Sequence, residues 1–426
     1  MNTKRLLLMA MVCLMVFTTF TQAAAAISLN YLLDIYQLER LEAYKQFKKQ
    51  FPKAKMIKKE RLESDTHVFL QNQLVNQSQA IDVFQTHVRD NSLPAILQKG
   101  YYVPLQTDPD ISSYVQALPP QIRKAVMVGE DISCLPVFAD VPYALLLNPE
   151  LLEQVGLPRD SLPRTFMELL DFALAWPEQY GDAYPDITPL YIAGGGPLLG
   201  MRNYAASYVL EAYLYSQLVA GEKVRFDTPL FRSLLHAIAP LTRNADMELR
   251  QDDYMGDPPQ WHQCLFYFIF RTPFYTPRME VMAPLPLAEG LPVVQPMRLV
   301  KAHLNPHSKS VKDAITWLSF QARYPEPDTE RLMGLVDSPL EYQGINQQNP
   351  PQAEADRYRI SHTQIRHYRE RVLPHLYVVG QSGVEAPGFL NQAQELFIQY
   401  LDGALPEELF IQQLDNIIKL IGAEGM

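Results

Sequence analysis

Apolar positions change their period several times along the chain. Residues 27–31 alternate apolar and polar through Ile27, Leu29 and Tyr31, the period-two pattern of a half-buried strand. Ile35, Leu38, Leu41, Tyr44 and Phe47 then recur at three-residue steps, a helical stripe stopped by Pro52. A second strand is expected over Lys55–Lys59, a short helix over 69–75, and a third strand over Ile81-Asp82-Val83-Phe84. Strand, helix, strand, helix, strand implies an α/β fold with a parallel sheet and right-handed crossovers.

The middle of the chain carries helical periods. One helix starts at Leu162-Pro163-Arg164-Thr165 and turns Phe166, Leu169, Leu170 and Ala173 inward. Another is expected over 204–219. Thr228-Pro229 has the form of an N-cap followed by proline at the first helical position, leading a stripe of Phe231, Leu234, Leu235, Ile238 and Leu241. A strand is expected over 281–285 and a helix over 310–322. Residues 325–358 are polar, rich in Pro, Gln and Asp, and too long for a plain connection, so they form a functional loop or hold short helices. Helices over 389–401 and 406–421, parted by Gly403, end the pattern.

The first residues have the form of an export signal. Lys4 and Arg5 precede an apolar run from Leu6 to Phe20, and Ala23-Ala24-Ala25-Ala26 offers small-residue cleavage sites. An uncleaved anchor would need a run of about 20 apolar residues, longer than this one. Cys13 lies inside the run, and Met11-Val12 and Leu14 around it do not make a lipid-attachment box. The expectation is removal of 1–26 and a soluble periplasmic or secreted protein. Cys134 and Cys264 then remain, either as a disulfide, which that compartment permits, or as two isolated small hydrophobes.

With 426 residues, 47% of them hydrophobic, the chain can bury the cores of two domains or lobes. Its net charge of -10 argues against nucleic acid or an anionic membrane as partner. Catalytic signatures are missing: there is no Gly-x-Ser-x-Gly, no His-Glu-x-x-His and no Gly-Lys-Ser/Thr loop. Gly194-Gly195-Gly196 lacks dinucleotide spacing, and no histidine pair at i, i+4 has a supporting acid. Asp252-Asp253 sits beside Gly256-Asp257-Pro258 in loop chemistry. No enzyme, metal or cofactor is expected.

Phe47-Lys48-Lys49-Gln50-Phe51-Pro52 and Asp82-Val83-Phe84 are followed by Cys134-Leu135-Pro136-Val137, Leu145-Leu146-Leu147-Asn148-Pro149, Gly156-Leu157 and Pro163-Arg164-Thr165-Phe166. Val224-Arg225-Phe226-Asp227-Thr228-Pro229, Met282-Ala283-Pro284-Leu285-Pro286 and the helix around Ala314, Trp317, Leu318 and Phe320 complete the order. This succession resembles the family 1 extracellular solute-binding proteins, the maltodextrin-binding type that serves ABC importers. Phe166 stands where the family has Trp, and Leu146-Leu147 where it has tyrosines. The resemblance implies a type II periplasmic-binding-protein fold: two lobes, each a mixed sheet flanked by helices, joined by a hinge. One lobe would hold 27–137 and 286–322, the other 138–285 and 323–426. The hinge would cross at Pro136-Val137-Phe138 and Pro284-Leu285-Pro286. A monomer docking on a membrane permease is implied.

Sugar recognition needs flat apolar faces for pyranose rings and polar groups for hydroxyls, placed on loops beyond strand carboxyl ends. Three loops qualify: Tyr31 and Asp34 after the first strand, Gln85, Thr86, His87 and Arg89 after the third, and Phe138-Ala139-Asp140. By the resemblance Asp140 matches a ligand-binding acid; the alternative is a hinge acid capping nearby backbone. Tyr204, Ser207 and Tyr208 begin a helix that faces the cleft in relatives, or else belong to the core. Trp261, Phe274 and Tyr275 are candidate stacking rings. Two rival functions share these residues: a binding protein that docks on a sensor kinase, and a secreted carbohydrate-active enzyme. N-terminal mass determination on envelope protein should find a mature start near Ala26 or Ile27. A start at Met1, or lipid on Cys13, would overturn the export reading.

Overall fold

The computed structural model describes residues 27–32, 41–59, 63–86, 99–192, 201–238, 263–269, 279–326, 329, 332–335, 362–380 and 387–424. The proposed export signal at 1–26 lies outside them, as do 336–358 of the polar segment.

Two sheets organise the chain. The first contains β1 (Ser28–Leu32), β2 (Lys55–Lys59), β3 (Val83–Thr86), β6 (Leu135–Asp140), β11 (Gln295–Leu304) and β12 (Leu376–Val378). Its order is β12-β11-β3-β1-β2, with β6 also paired to β11. β1 runs parallel to both β2 and β3, as the strand-helix alternation requires, whereas β11 enters antiparallel to β3 and β6. The second sheet has the order β10-β7-β9-β8, from β7 (Ala144–Leu147), β8 (Thr188–Ile192), β9 (Cys264–Ile269) and β10 (Glu280–Val281). A small hairpin of β4 (Met127–Val128) and β5 (Asp131–Ile132) stands apart.

Around the first sheet lie α1 (Glu42–Gln50), α2 (Glu63–Val75), α3 (Pro109–Ala117), α4 (Pro120–Lys124) and, later in the chain, a helix over Val311–Arg323. The Phe-x-x-x-Phe motif has a packing reason. Phe47 and Phe51 lie 5.2 Å apart, and Phe47 meets Trp317 and Phe320 of the Val311–Arg323 helix edge-on at 5.3 Å each. Such geometry suits the ring quadrupoles. The second sheet is covered by α5 (Pro149–Val155), α6 (Phe166–Trp176), α7 (Met201–Ala220) and α8 (Pro229–Ile238), together with the terminal helices Pro387–Leu401 and Glu407–Glu424. The expected cap forms, Thr228 Oγ1 accepting from Phe231 N at 3.1 Å, and Thr165 Oγ1 caps α6 by accepting from Glu168 N at 3.1 Å.

Three expectations are corrected. Pro136-Val137-Phe138 is not a crossing, because β6 pairs with β11 within the first sheet on both sides of an irregularity at Val137. The chain leaves that sheet at 141–143. Pro284-Leu285-Pro286 is not the return crossing either: Pro286 O accepts from Phe166 N at 2.9 Å and Leu287 O from Met167 N at 3.3 Å, which docks the segment on the exposed first-turn amides of α6. The return is where β11 begins. Finally, 323–426 does not belong wholly with the second lobe. Leu332, Met333, Ile365 and Tyr368 join a core that holds residues of both sheets, and β12 pairs parallel with the start of β11, making a third crossing before Val379. The strand expected over 281–285 is only Glu280–Val281. Cys134 and Cys264 are both buried free thiols, so the disulfide reading is set aside.

β2 ends the first sheet, and Lys55, Lys58 and Lys59 are exposed along it. Within the sheet, Asp82 explains the Asp-Val-Phe motif. Its Oδ2 accepts from the Asn30 amide at 2.7 Å and from Asn30 Nδ2 at 3.2 Å, while Oδ1 accepts from Ser308 Oγ at 2.6 Å. One carboxylate thus ties β1 to the turn after β11. Hydrogen bonds to a charged acceptor are worth about 1.5–3 kcal/mol. Urea titration of Asp82→Ala should show about that loss of unfolding free energy, with Asp82→Asn losing less; an unchanged midpoint would remove Asp82 from this role.

Candidate functional site

β1 and β3 run in the same direction, and β6 joins them through two antiparallel steps across β11, so their carboxyl ends share one edge. Ligand groups of an open α/β lobe gather at such an edge. Asp34, His87 and Arg89 follow β1 and β3 in sequence and lie outside the described residues, as do Trp261, Phe274 and Tyr275 on either side of β9. Tyr204 and Ser207 belong to the first two turns of α7; their side chains lie outside the description.

Tyr31 and Thr86 are corrected from loop tips to buried strand positions. Tyr31 is 0% exposed, stands edge-on to Trp317 at 6.1 Å, and its hydroxyl accepts from Gln85 Nε2 at 2.9 Å. Burial pushes its phenol up to about 12. Thr86, also 0% exposed, places Oγ1 2.9 Å from His303 Nε2, and the His303 ring stacks on Phe84 at 5.1 Å. Burial, and then the Lys301 charge, hold His303 down to about 3, so it is neutral at ordinary pH. Because Tyr31 is in register with Val83, Tyr31 and Gln85 share one face of the sheet and Thr86 takes the other. The two side chains therefore cannot close on one ligand.

Tyr208 is likewise core. Its ring lies 4.3 Å from Phe166, 5.1 Å from Tyr143 and 5.6 Å from Phe268, and burial pushes its phenol well up.

Asp140 keeps its place at the edge. It is the last residue of β6, half-buried, and stands opposite Arg298 of β11 in the ladder. Arg298 in turn reaches across the lobes to Glu211 of α7, its Nη2 lying 3.5 and 3.4 Å from the two carboxylate oxygens. Glu211, 8% exposed, also accepts from Tyr143 Oη at 3.0 Å and Tyr215 Oη at 3.2 Å. Burial works against the Arg298 charge, but Glu211, then Tyr143, Tyr215 and Asp140 more than offset it and hold the guanidinium above its usual range. Burial first, and the Glu211 charge next, push the Tyr143 phenol well up. Tyr143 also carries φ 64°, a left-handed backbone that a bulky residue rarely adopts, at the point where the chain passes between the sheets. Gln295 Nε2 donates to Pro142 O at 2.5 Å, joining the outgoing and returning segments.

Sequence reasoning missed Arg298, Glu211 and Tyr143. An arginine inside a strand and a glutamate inside an otherwise apolar helical stripe were the available signals, since charges are seldom buried without a partner. Among the described residues, no group of three His, Cys, Asp or Glu is gathered that could hold a metal ion.

No protein-family model and no curated protein matches the sequence. Solved structures do match in fold. The sugar-binding protein MalE of Xanthomonas citri superposes with a TM-score of 0.59 at 14% identity, over 93% of this chain and 98% of that one. Maltose-bound MalE3 of T. maritima gives 0.58 at 16%, over 93% and 100%. The GacH receptor of Streptomyces glaucescens, solved unliganded and with acarbose, gives 0.56 at 14%, over 93% and 98%. Over nearly its whole length the chain has the two-lobed fold of these sugar-binding proteins.

Proposed function

We propose that the protein captures a sugar or oligosaccharide between its two lobes, outside the cytoplasm, and delivers it to the membrane permease of an ABC importer. The observation that carries this is the crossing region: two sheets joined by short segments at 141–143, at the start of β11 and after β12, with half-buried Asp140 beside them. Short extended connections between rigid lobes are what a hinge-closing receptor needs. The fold shared with MalE and with the acarbose-bound GacH receptor supports the same reading.

In this proposal Asp34, His87, Arg89 and Asp140 supply hydroxyl contacts from the first lobe and the crossing. Tyr204 and Ser207 add polar groups from the second, and Trp261, Phe274 and Tyr275 supply ring faces. Tyr31, Thr86 and Tyr208 support the site from within the cores. The sugar is bound and released unchanged.

A thermal-shift screen against maltose, acarbose, tagatose, cycloalternan and xylo-oligosaccharides tests this. At a hundredfold excess over Kd a bound sugar adds about 2.7 kcal/mol to the apparent stability, so Tm should rise with sugar concentration. No shift with any neutral sugar, or hydrolysis of the sugar during incubation, would reject the proposal.

A further inference from the structure

Resting on that reading, we propose that Arg298 is itself a ligand-binding residue: with Asp140 it forms a donor–acceptor pair that grips two adjacent hydroxyls of a neutral sugar at the base of the cleft. The two residues are direct cross-strand partners on β11 and β6. Directly opposed residues of an antiparallel pair project to the same face with Cβ atoms about 4.5–5.5 Å apart. A carboxylate can only accept and a guanidinium can only donate, so the pair offers complementary groups to a diol whose hydroxyls do both.

Arg298 is built for more than the contact it makes to Glu211. Its distances to that carboxylate, 3.4 and 3.5 Å, exceed the roughly 2.7–2.9 Å of a tight charge-assisted bond. Both involve Nη2, and Tyr143 adds a further side-chain contact, which leaves room on a guanidinium that has five N–H donors. The side chain is 21% exposed, so solvent, and hence a ligand, reaches it. Glu211 is held by two tyrosine hydroxyls besides, and so acts as a fixed anchor that orients the arginine. With two carboxylates already beside it, the guanidinium is a poor holder for an anionic ligand and a good donor to hydroxyls. Lys301, the next cation on β11, acts on His303 and Cys134 instead.

The test is calorimetry with the sugar of the panel above that raises Tm most, on wild type, Arg298→Lys, Asp140→Asn and the double variant. Arg298→Lys keeps the charge opposite Glu211 but loses the planar fork. It should weaken binding tenfold or more, the double variant losing less than the product of the two single losses. Apo Tm is measured alongside: a fall in Tm with affinity within twofold of wild type would make Arg298 a counter-ion for Glu211 only and overturn the inference. Should Arg298→Lys fail to fold, Arg298→Gln in a Glu211→Gln background removes the buried charges together and carries the same comparison against Glu211→Gln alone. A wild-type chain that binds none of the sugars overturns the proposed function and this inference with it. Wild-type binding with unaltered variants overturns the inference alone.

Discussion

The first lobe hangs on β11. Strands β1, β2 and β3 come from the first 86 residues and pair among themselves, but β6 and β12 join the sheet only through β11, which begins at Gln295. The sheet therefore cannot be completed until a segment more than two hundred residues downstream of β3 has been inserted antiparallel into it. Long-range pairing of this kind closes a large loop before it gains contacts, which slows folding. All ten residues of β11 are buried or half-buried, and that burial drives the insertion.

Inserting one strand from so far away also determines what the lobes can share. β11 brings Arg298 to the crossing, α7 brings Glu211, and the outgoing chain brings Tyr143, so groups from three distant stretches meet in one partly buried cluster. Replacing such a cluster by apolar residues is often neutral for stability, whereas removing one partner is costly. Its value lies in fixing how the segments meet. The register shift between Val300 and Lys301 falls where Pro136 stands opposite, a residue with no N–H for the ladder. The extra residue, Val137, lies in β6, while β11 runs on unbroken to pair with β3.

These facts mark how far the sequence could be followed. The opening strand-helix-strand-helix-strand unit was legible because its pattern is local: alternation in 27–31, a Pro52 stop, a lysine-edged second strand. The N-cap at Thr228 and the helix start at 162–165 were legible for the same reason. β11 was not, since Arg298, Lys301 and His303 give it the polarity of a surface segment while long-range pairing buries it. β9, nearly all apolar, lacks the alternation that marks a strand with one wet face. The hinge was misplaced by reading prolines as stiff connectors: Pro136 lies within a bulged ladder and Pro286 caps a helix. Tyr31 and Thr86 were placed one or two residues too late along their strands, and with a period of two that small error moves a side chain from loop to core. Asp140 ends its strand half-buried, whereas Thr86 ends its strand fully buried.

The lysines of β2 have a further meaning for the molecule among its own copies. An open sheet edge is a template on which a second chain can add, and this one carries Ile57, 42% exposed, at its centre. Lys55 and Lys59 flank it, so a like copy arriving edge to edge would set ammonium against ammonium. That repulsion reaches only about 10 Å at 0.1 M salt and about 3 Å at 1 M. The edge is thus guarded electrostatically rather than sterically, and the guard weakens with ionic strength. The salt content of the surroundings then helps set how densely the protein can be stocked before its edges begin to find one another.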